Sequence, residues 1–504
     1  MWSQPQEESG HQRLRRDALA TSMAVEEVVV LMVPLPAQGH LNQHLHLARR
    51  LSSRGLPVHY FSSATHNRQA KSRVHGWDST TTPPIHFHDF PLPSDLPLLP
   101  PNPNSPTKFP THLIPLFASA DSNLRLPFTA LLRRLSSNTH RVVVIYDSLM
   151  SFSAQEASLL PNVEAYTFYT GSAFSLLYTE AESSLQNVNN INVVFNNNIT
   201  LNELLGRRAS MKESMPEEFF QLLNNSRVDN RVASGILCNT CEALDAECLL
   251  HFMNLPKAAS HRRQSHKYWA LGPLNPISPT PTTPRHRCLA WLDHQPKDSV
   301  IYVSFGTMTS VPDEQIAELA LGLEQSGQRF IWVVRNADQA DIYASNKTGR
   351  MNNLPDGFEE RVKERGLVER EWAPQLEILA HPSTSGFVSH CGWNSCVESL
   401  SMGVPMAAWP MHSDQPTNTI LVTEVLRVGL VARDWADRDS VVKAESVAKV
   451  VKRLMVEEEG MVVRKRAREL GVDVREAARK GEEMDRFVDY ICRASEESST
   501  ESTQ

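Results

Sequence analysis

Short runs of β-branched residues alternate with helix-spaced apolar positions along most of this chain. The stretches EEVVVLMVPL (26–35), PVHYFSS (57–63), RVVVIYD (141–147), EAYTFYT (164–170) and GILCNT (235–240) predict strands covered on both faces. Helix-period segments lie between several of them, such as LNQHLHLARRLSSRG, which ends at Gly55. Strands alternating with helices predict a parallel sheet with helices on both sides. A second series of the same kind begins near residue 299: SVIYVSF (299–305), RFIWVVR (329–335), GFVSH (386–390), PMAAWP (405–410) and GLVAR (429–433). DEQIAELALGLEQSG (313–327) is an amphipathic helix between the first two. The fold class is therefore α/β, with two doubly wound parallel-sheet units.

Prolines mark the join. LGPLNPISPTPTTPRHR (271–287) carries Pro273, Pro276, Pro279, Pro281 and Pro284, a density that forbids regular structure and favours a semi-rigid linker. The expected organisation is a disordered extension over 1–22, a first domain over 23–265, a proline-rich linker over 266–287, a second domain over 288–478, a last helix over 479–494 and a disordered polar tail over 495–504. Residues 83–110 hold ten of the 32 prolines and are expected to form a long surface loop. A cleft between two such domains is a usual place for a small molecule.

Composition narrows the function without naming it. The 504 residues, 41% hydrophobic and 21% charged, fit a soluble globular protein. Fifty Lys and Arg against 57 Asp and Glu give a net charge of -7, which supplies no footprint for nucleic acid or phospholipid. No apolar run reaches membrane-span length. The first 22 residues lack an apolar core and are no secretory signal, and Met23 is an alternative start. Seven scattered cysteines, without paired Cys-x-x-Cys spacing, read as reduced thiols of a cytoplasmic protein.

The candidate chemistry gathers in FVSHCGWNSCVESLSMGVPMAAWPMHSDQ (387–415). A strand ends at His390, Cys391-Gly392 turns, and a helix begins at Trp393 or Asn394 and stops at Gly403. A helix start presents unpaired N–H groups and the positive dipole end, a place for phosphate. Asn394 and Ser395 add donors in the first turn, His390 can donate to the same oxygens, and Glu398 lies one turn on, where it can accept from a ribose. Asp414 and Gln415 follow the next strand at its carboxyl end, where ligands of such sheets gather. A phosphorylated sugar nucleotide would use all of these together.

The stretch from Trp372 to Gln415, WAPQLEILAHPSTSGFVSHCGWNSCVESLSMGVPMAAWPMHSDQ, resembles the 44-residue signature of plant UDP-dependent glycosyltransferases. The resemblance extends over about 26–493 through VPLPAQGHLNQ, VSFGT and AWPMHSDQP, and GLPVHY, DSLMSF, ALGPLNP and WAPQLEILAH are most similar to the zeatin O-glucosyltransferases within that family. It implies the GT-B fold, two Rossmann-like domains facing across a cleft, with the acceptor in the first and UDP-glucose in the second. The last helix is then expected to pack back on the first domain. By the same resemblance Trp372 stacks on uracil, the backbone of Ala373 reads the base, and Gln375 and Glu398 hold ribose hydroxyls. Thr307, His390, Asn394 and Ser395 take the diphosphate, and Thr170, Trp393, Asp414 and Gln415 meet the sugar. The implied partners are UDP-glucose and a small hydroxylated acceptor, with the protein working as a monomer. The implied acceptor is a zeatin-type cytokinin, with flavonoids or other phenolics as the alternative.

Transfer to a hydroxyl needs a base, and His40 stands just past the first strand. An imidazole titrates near pH 6.5, which suits that role. Asp147, ending RVVVIYD, can orient the ring if the two strands are neighbours, which is the base–orienter arrangement of a catalytic triad without its nucleophile. The family resemblance assigns the same two roles. Metal readings are weaker: Leu41 stands where a HExxH motif needs glutamate, and DRD (437–439) sits among charged loop residues. No metal or other cofactor is expected, since helix N–H groups and His390 can carry the leaving diphosphate. His44 departs from the family's usual apolar residue, and either lines the acceptor pocket or alters packing. A nicotinamide-dependent dehydrogenase would carry G-x-G-x-x-G after the first strand, where VPLPAQGHLNQ stands instead. A protein that holds a sugar nucleotide without turnover would have no need of His40 and Asp147.

Overall fold

The computed structural model describes residues 26–493 except 78–83, positions 92, 94, 95, 97, 98, 106 and 107, 184–192, 208, 210–214, 255–266, 282 and 344–353. The expected extension at 1–22 and tail at 495–504 lie outside the described residues.

Two all-parallel sheets form the frame. The first comprises β1 (Glu26–Val33), β2 (Val58–Ser63), β3 (Ile85–Phe90), β4 (Thr139–Asp147), β5 (Val163–Tyr169), β6 (Gly235–Cys238) and β7 (Lys267–Ala270), in the order β3-β2-β1-β4-β5-β6-β7. The second comprises β8 (Val300–Ser304), β9 (Arg329–Val333), β10 (Gly366–Glu369), β11 (Thr384–Ser389), β12 (Met406–Ala408) and β13 (Gly429–Val431), in the order β10-β9-β8-β11-β12-β13. Every position of β8 and β11 is buried, which the apolar run of β8 predicted and which in β11 extends to Thr384, Ser385 and Ser389. In each sheet the winding reverses once, between β1 and β4 and between β8 and β11. Ligands of open parallel sheets bind outside the strand ends at such a reversal. The register pairs Val33 with Tyr146, so the chain leaves β1 toward His40 beside the place where β4 delivers Asp147.

Three strands escaped the sequence reading. Residues 83–110 are not wholly loop: IHFHDF is the edge strand β3, with proline on both sides. Its alternation is real, since Phe87 packs on Tyr60 and Trp77 while the rings of His86 and His88 stack with His59 on the other face. Histidines in the polar phase, between prolines, hid the pattern, although proline is compatible with the ends of an edge strand. β7 extends the first sheet into the stretch expected to be linker. β10 is only four residues long, too short for its period to stand out.

Five helices matter for function: α1 (Gln38–Ser52), α2 (Ala64–Arg73), α3 (Trp393–Met402), α4 (Glu458–Lys480) and α5 (Glu482–Cys492). The chain passes from α4 to α5 through Gly481, whose φ of 63° is left-handed and favours glycine. That turn sends α5 back across the first domain; the helix starts at Glu482 rather than at 479, since Arg479 and Lys480 still belong to α4. There Met484, Phe487 and Ile491 are buried in the core with β1 and β5. The Phe487 ring meets Tyr166 and Trp269, Arg54 pairs with Asp485 at 2.6 Å, and Arg141 donates to the carbonyl of Ile491 at 2.9 Å. Among the described residues no helix is long and apolar enough to cross a membrane.

The packing of α5 is therefore structural for the first domain. Phe487→Ala removes a fully buried ring and is expected to cost about 3–5 kcal/mol. Urea unfolding followed by tryptophan fluorescence checks this, with an unchanged midpoint counting against it.

Candidate active site

At the first domain's reversal, the first turn of α1 presents His40. Its Nδ1 lies 2.6 Å from Oδ2 of Asp147. The carboxylate is wholly buried, while the His40 side chain is 24% exposed. Asp147 is held in turn, because its Oδ1 accepts the backbone N–H of Leu149 at 3.1 Å. The hydroxyl of Thr170 lies 3.1 Å from the same Nδ1, and Gln43 fixes the Thr170 carbonyl with a donated bond of 2.8 Å. Because Nδ1 faces the carboxylate, it carries the proton and Nε2 is left as the acceptor. Burial alone would pull the His40 pKa down, but the charge and hydrogen bond of Asp147, with a contribution from Asp414 across the cleft, raise it above 6.5. Asp147 moves oppositely: burial pushes it up, and His40 outweighs that and holds it below the usual carboxylate value.

The second domain supplies a helix start. Cys391 adopts a left-handed φ of 62° and Gly392 precedes α3. The His390 ring is seated between two glycines, since a Cβ on Gly306 or Gly392 would come within 2.6 or 2.5 Å of its Nε2. Burial lowers this ring's pKa to about 4, and its Nδ1 has no hydrogen-bond partner among the described residues. Asn394 donates to the carbonyl of Gly39 at 2.7 Å, and the indole of Trp393 donates to the carbonyl of Asn239 at 2.9 Å. Gln375 donates to Ser395 at 3.0 Å and to Glu398 at 2.8 Å. Burial raises Glu398 to about 7 despite that donation. Burial also raises Asp414, which accepts from Asn418 at 2.8 Å. Gln415 turns its carbonyl into the loop, where it accepts the N–H groups of Met411 and His412 at 2.8 and 3.0 Å.

One cavity of about 510 Å³ joins these groups. It is lined by His40, Thr170, Thr307, Trp372, Ala373, Gln375, His390, Trp393, Asn394, Ser395, Glu398, Asp414 and Gln415, with Asp147 standing behind His40. The sequence-predicted set thus converges on one cleft. Sequence reasoning missed much of the cavity's first-domain wall, notably Met215, Phe219 and Leu223. Phe219 and Leu223, four apart on the helix Glu217–Asp229, share one face and were the available signal, but nothing showed that this face meets the cleft rather than the core, and Met215 lies just before that helix. A larger open groove of about 1700 Å³ meets the cleft at Leu149, Tyr169 and Leu223; the helix starts on its wall, at Glu242 and Glu482, carry carboxylates in their first turns. His44 does not line the cleft. It is fully buried, its Nδ1 donates to the His40 carbonyl at 2.9 Å, and its ring packs edge-on against Phe168. Burial, the largest effect, keeps His44 neutral, with a pKa near 4. Among the described residues one set of possible metal ligands occurs, His286, Cys288 and Glu369, away from the cleft. There Arg287 already holds Glu369 at 2.6 Å.

The comparisons fit this geometry. Residues 26–276 match the glycosyltransferase N-terminal domain, and residues 277–457 match the UDP-glucoronosyl and UDP-glucosyl transferase family. Zeatin O-glucosyltransferase of Phaseolus lunatus is 47% identical over 88% of this chain and 91% of its own length.

The chain belongs to the UDP-glycosyltransferase family.

Two further relatives cover nearly the whole protein. Cis-zeatin O-glucosyltransferase 2 of Zea mays is 42% identical over 93% of this chain and 99% of its own. Zeatin O-xylosyltransferase of Phaseolus vulgaris is 44% identical over 93% and 98%. Among solved structures, Phytolacca americana UGT2 complexed with UDP-2fluoro-glucose and pterostilbene superposes with a TM-score of 0.71 at 25% identity, covering 93% of this chain and 99% of that one. This UDP-glycosyltransferase therefore has the GT-B fold, two Rossmann-like lobes meeting at their sheet reversals.

The opposed shifts of His40 and Asp147 are measurable. With histidine labelled in ¹³C, NMR titration should place the His40 pKa above 6.5 in the wild type. In Asp147→Asn burial is left largely unopposed and the value should fall below 6.5. An unmoved titration would show that the carboxylate does not control the ring.

Proposed function

We propose that this enzyme is an inverting UDP-glucose-dependent O-glucosyltransferase whose acceptor is the side-chain hydroxyl of a zeatin-type cytokinin. The observation that carries the mechanism is the 2.6 Å bond from His40 to Asp147, which leaves Nε2 as an acceptor on the wall of a cleft shared with a helix start. In this reading the acceptor hydroxyl enters beside Leu149, Tyr169, Phe219 and Leu223, an apolar wall suited to an isoprenoid chain. Its oxygen attacks the anomeric carbon from the side opposite UDP. The bond from that carbon to the β-phosphate oxygen breaks, and its electron pair leaves with UDP. The hydroxyl proton passes to Nε2 of His40, and Asp147 stabilises the imidazolium until the proton returns to solvent. Inversion of an α-linked donor gives a β-glucoside.

The donor half follows from the second lobe. Uracil stacks on Trp372 with the backbone of Ala373 reading its edge, and Gln375 and Glu398 meet the ribose. Thr307, His390, Asn394, Ser395 and the N–H groups of α3 take the diphosphate, whose developing charge suits a helix start. His390, kept neutral by burial, donates a hydrogen bond rather than a full charge. Thr170, Trp393, Asp414 and Gln415 surround the hexose. The reaction needs no metal in this account. A single chain supplies both halves of the cleft, which suits a monomer. The seven cysteines are free and all but Cys492 buried, which suits the reducing cytoplasm.

Support for a cytokinin acceptor comes from the relatives' names. Those names also favour a second reading, transfer of xylose, because the Phaseolus vulgaris relative named for it is 44% identical. Flavonoids or other phenolics are the alternative acceptors for the same pocket.

The test is a panel of trans-zeatin, cis-zeatin, dihydrozeatin and a flavonol, each with UDP-glucose and with UDP-xylose, read by mass spectrometry. Glucosylated zeatins are expected, and turnover confined to the flavonol would overturn the acceptor. His40→Ala should lower kcat at least about a hundredfold, while calorimetry still finds wild-type UDP affinity, because this reading sets the His40 ring against the acceptor hydroxyl and not against the nucleotide. For the wild type, kcat/KM should rise with pH through a pKa above 6.5, since only the neutral ring accepts the proton.

A further inference from the structure

We infer that Arg73 is a positioning residue for the nucleotide base: from the first lobe it props the indole of Trp372 on the second. The inference rests on the proposed reading of Trp372 as the uracil platform.

Arg73 is the last residue of α2, and its guanidinium carbon lies 4.7 Å from the centre of the Trp372 ring, within the reach of a cation–π contact. Trp372 is 37% exposed, so room for a base remains on the indole. The Arg73 side chain is only 12% exposed and is held from both lobes. On the second lobe its two terminal nitrogens fork onto the carboxylate of Asp338, which Arg335 grips as well. On its own lobe it donates to Oε1 of Gln38 at 3.2 Å, and Gln69 donates to the same oxygen at 2.8 Å.

The surroundings are an inter-lobe clasp rather than a chance contact. Asp338 offers its carbonyl to His112 at 2.8 Å. Tyr343, a few residues on, receives Arg68 over its ring at 3.5 Å and bonds Ser72 at 2.8 Å. A side chain that merely covers an empty indole, to be swept aside by the arriving base, needs freedom to leave. Arg73 has little: its departure would leave Asp338 with one cation in place of two and remove a donor from buried Gln38. It therefore stays when the base arrives, fixing the angle of the platform and adding its charge to the π system. Lysine cannot do this, because it lacks the planar fork that spans a carboxylate while lying over a ring.

The consequence is that the acceptor lobe contributes to donor affinity only when the lobes are closed. Calorimetric titration with UDP tests this on the full chain. Arg73→Met should weaken UDP about three- to tenfold, with Arg73→Lys close behind. Asp338→Asn should move affinity the same way by releasing the fork, and it serves should the arginine variants fold poorly. Trp372→Ala should weaken UDP by itself, and Arg73→Met added to it should cause no further loss, since there is no indole left to hold. In the transfer assay Arg73→Met should raise the donor KM and leave kcat and the acceptor KM within about twofold, a split that general destabilisation does not produce. Wild-type or tighter UDP affinity in Arg73→Met, or losses that add in the double variant, would overturn the inference alone. A wild-type protein that binds no UDP would overturn the reading of the platform and this inference with it.

Discussion

The proposed base on one lobe and the helix start proposed to take the diphosphate on the other can act together only if their separation is fixed, and the amide of Asn394 on the carbonyl of Gly39 fixes it. That bond, 2.7 Å long, joins the first turn of α3 to the residue immediately before His40. It works because both partners are placed by sheet reversals: His40 follows β1 beside β4, and Asn394 follows β11 beside β8. Nearby, the Trp393 indole reaches the carbonyl of Asn239, so two adjacent residues of α3 anchor on the opposite lobe. Residues expected to serve the donor therefore also serve closure, and a ligand in the cleft is met by groups already aimed by the protein.

The electrostatics of the cleft follow from how dry that closure makes it. His390, His412 and Glu398 are held near neutrality by burial, at about 4, about 3 and about 7, whereas His40 alone among these rings has a carboxylate close enough to reverse the effect. One ring is thus built to take a proton and others to remain neutral, a separation of acid–base roles by environment rather than by residue type. Glu398 shows the cost of such a site. Between its ordinary value and about 7 the unfolded chain ionises this group while the folded chain does not, so folding loses stability as pH rises through that window. A structural residue would hardly be kept on those terms. A hydrogen-bond acceptor waiting for hydroxyl groups would.

Much of the fold was legible because parallel strands buried on both faces leave uninterrupted apolar runs. β1, β4 and β8 are of this kind, while β11 (TSGFVS) shows only Phe387 and Val388 and was legible by the motif that follows it; the overlooked β3, β7 and β10 lie at sheet edges. An edge strand needs no second covered face, so β3 can carry His86 and His88 between prolines and lose its signal. The donor site was legible for a related reason. Its groups from His390 to Gln415 are strung along one strand–turn–helix–strand unit, where a backbone argument connects them, whereas Thr170, Thr307, Trp372, Ala373 and Gln375 lie outside it and were indicated only by the family resemblance. The acceptor wall was not, because Leu149 comes from the turn after β4 and Phe219 and Leu223 from the distant helix Glu217–Asp229, whose apolar face looks like core until the tertiary structure opens a cavity beside it.

Gln415 and Arg73 mark opposite limits of motif reasoning. Gln415 ends the 44-residue signature, yet its carbonyl is taken up by Met411 and His412, which leaves only its Nε2 to face a ligand. Its first task is to shape the loop that carries Asp414, and any effect on sugar choice has to pass through that loop or that single donor. Arg73 belongs to no motif and sits in a helix of weak amphipathicity, but it reaches across the cleft to the ring at the signature's other end. A motif records which residues one lobe brings to a ligand. It is silent on what the facing lobe contributes, because those residues are set by how the two lobes meet, and that depends on pairs such as Arg73 with Asp338 that lie 265 positions apart.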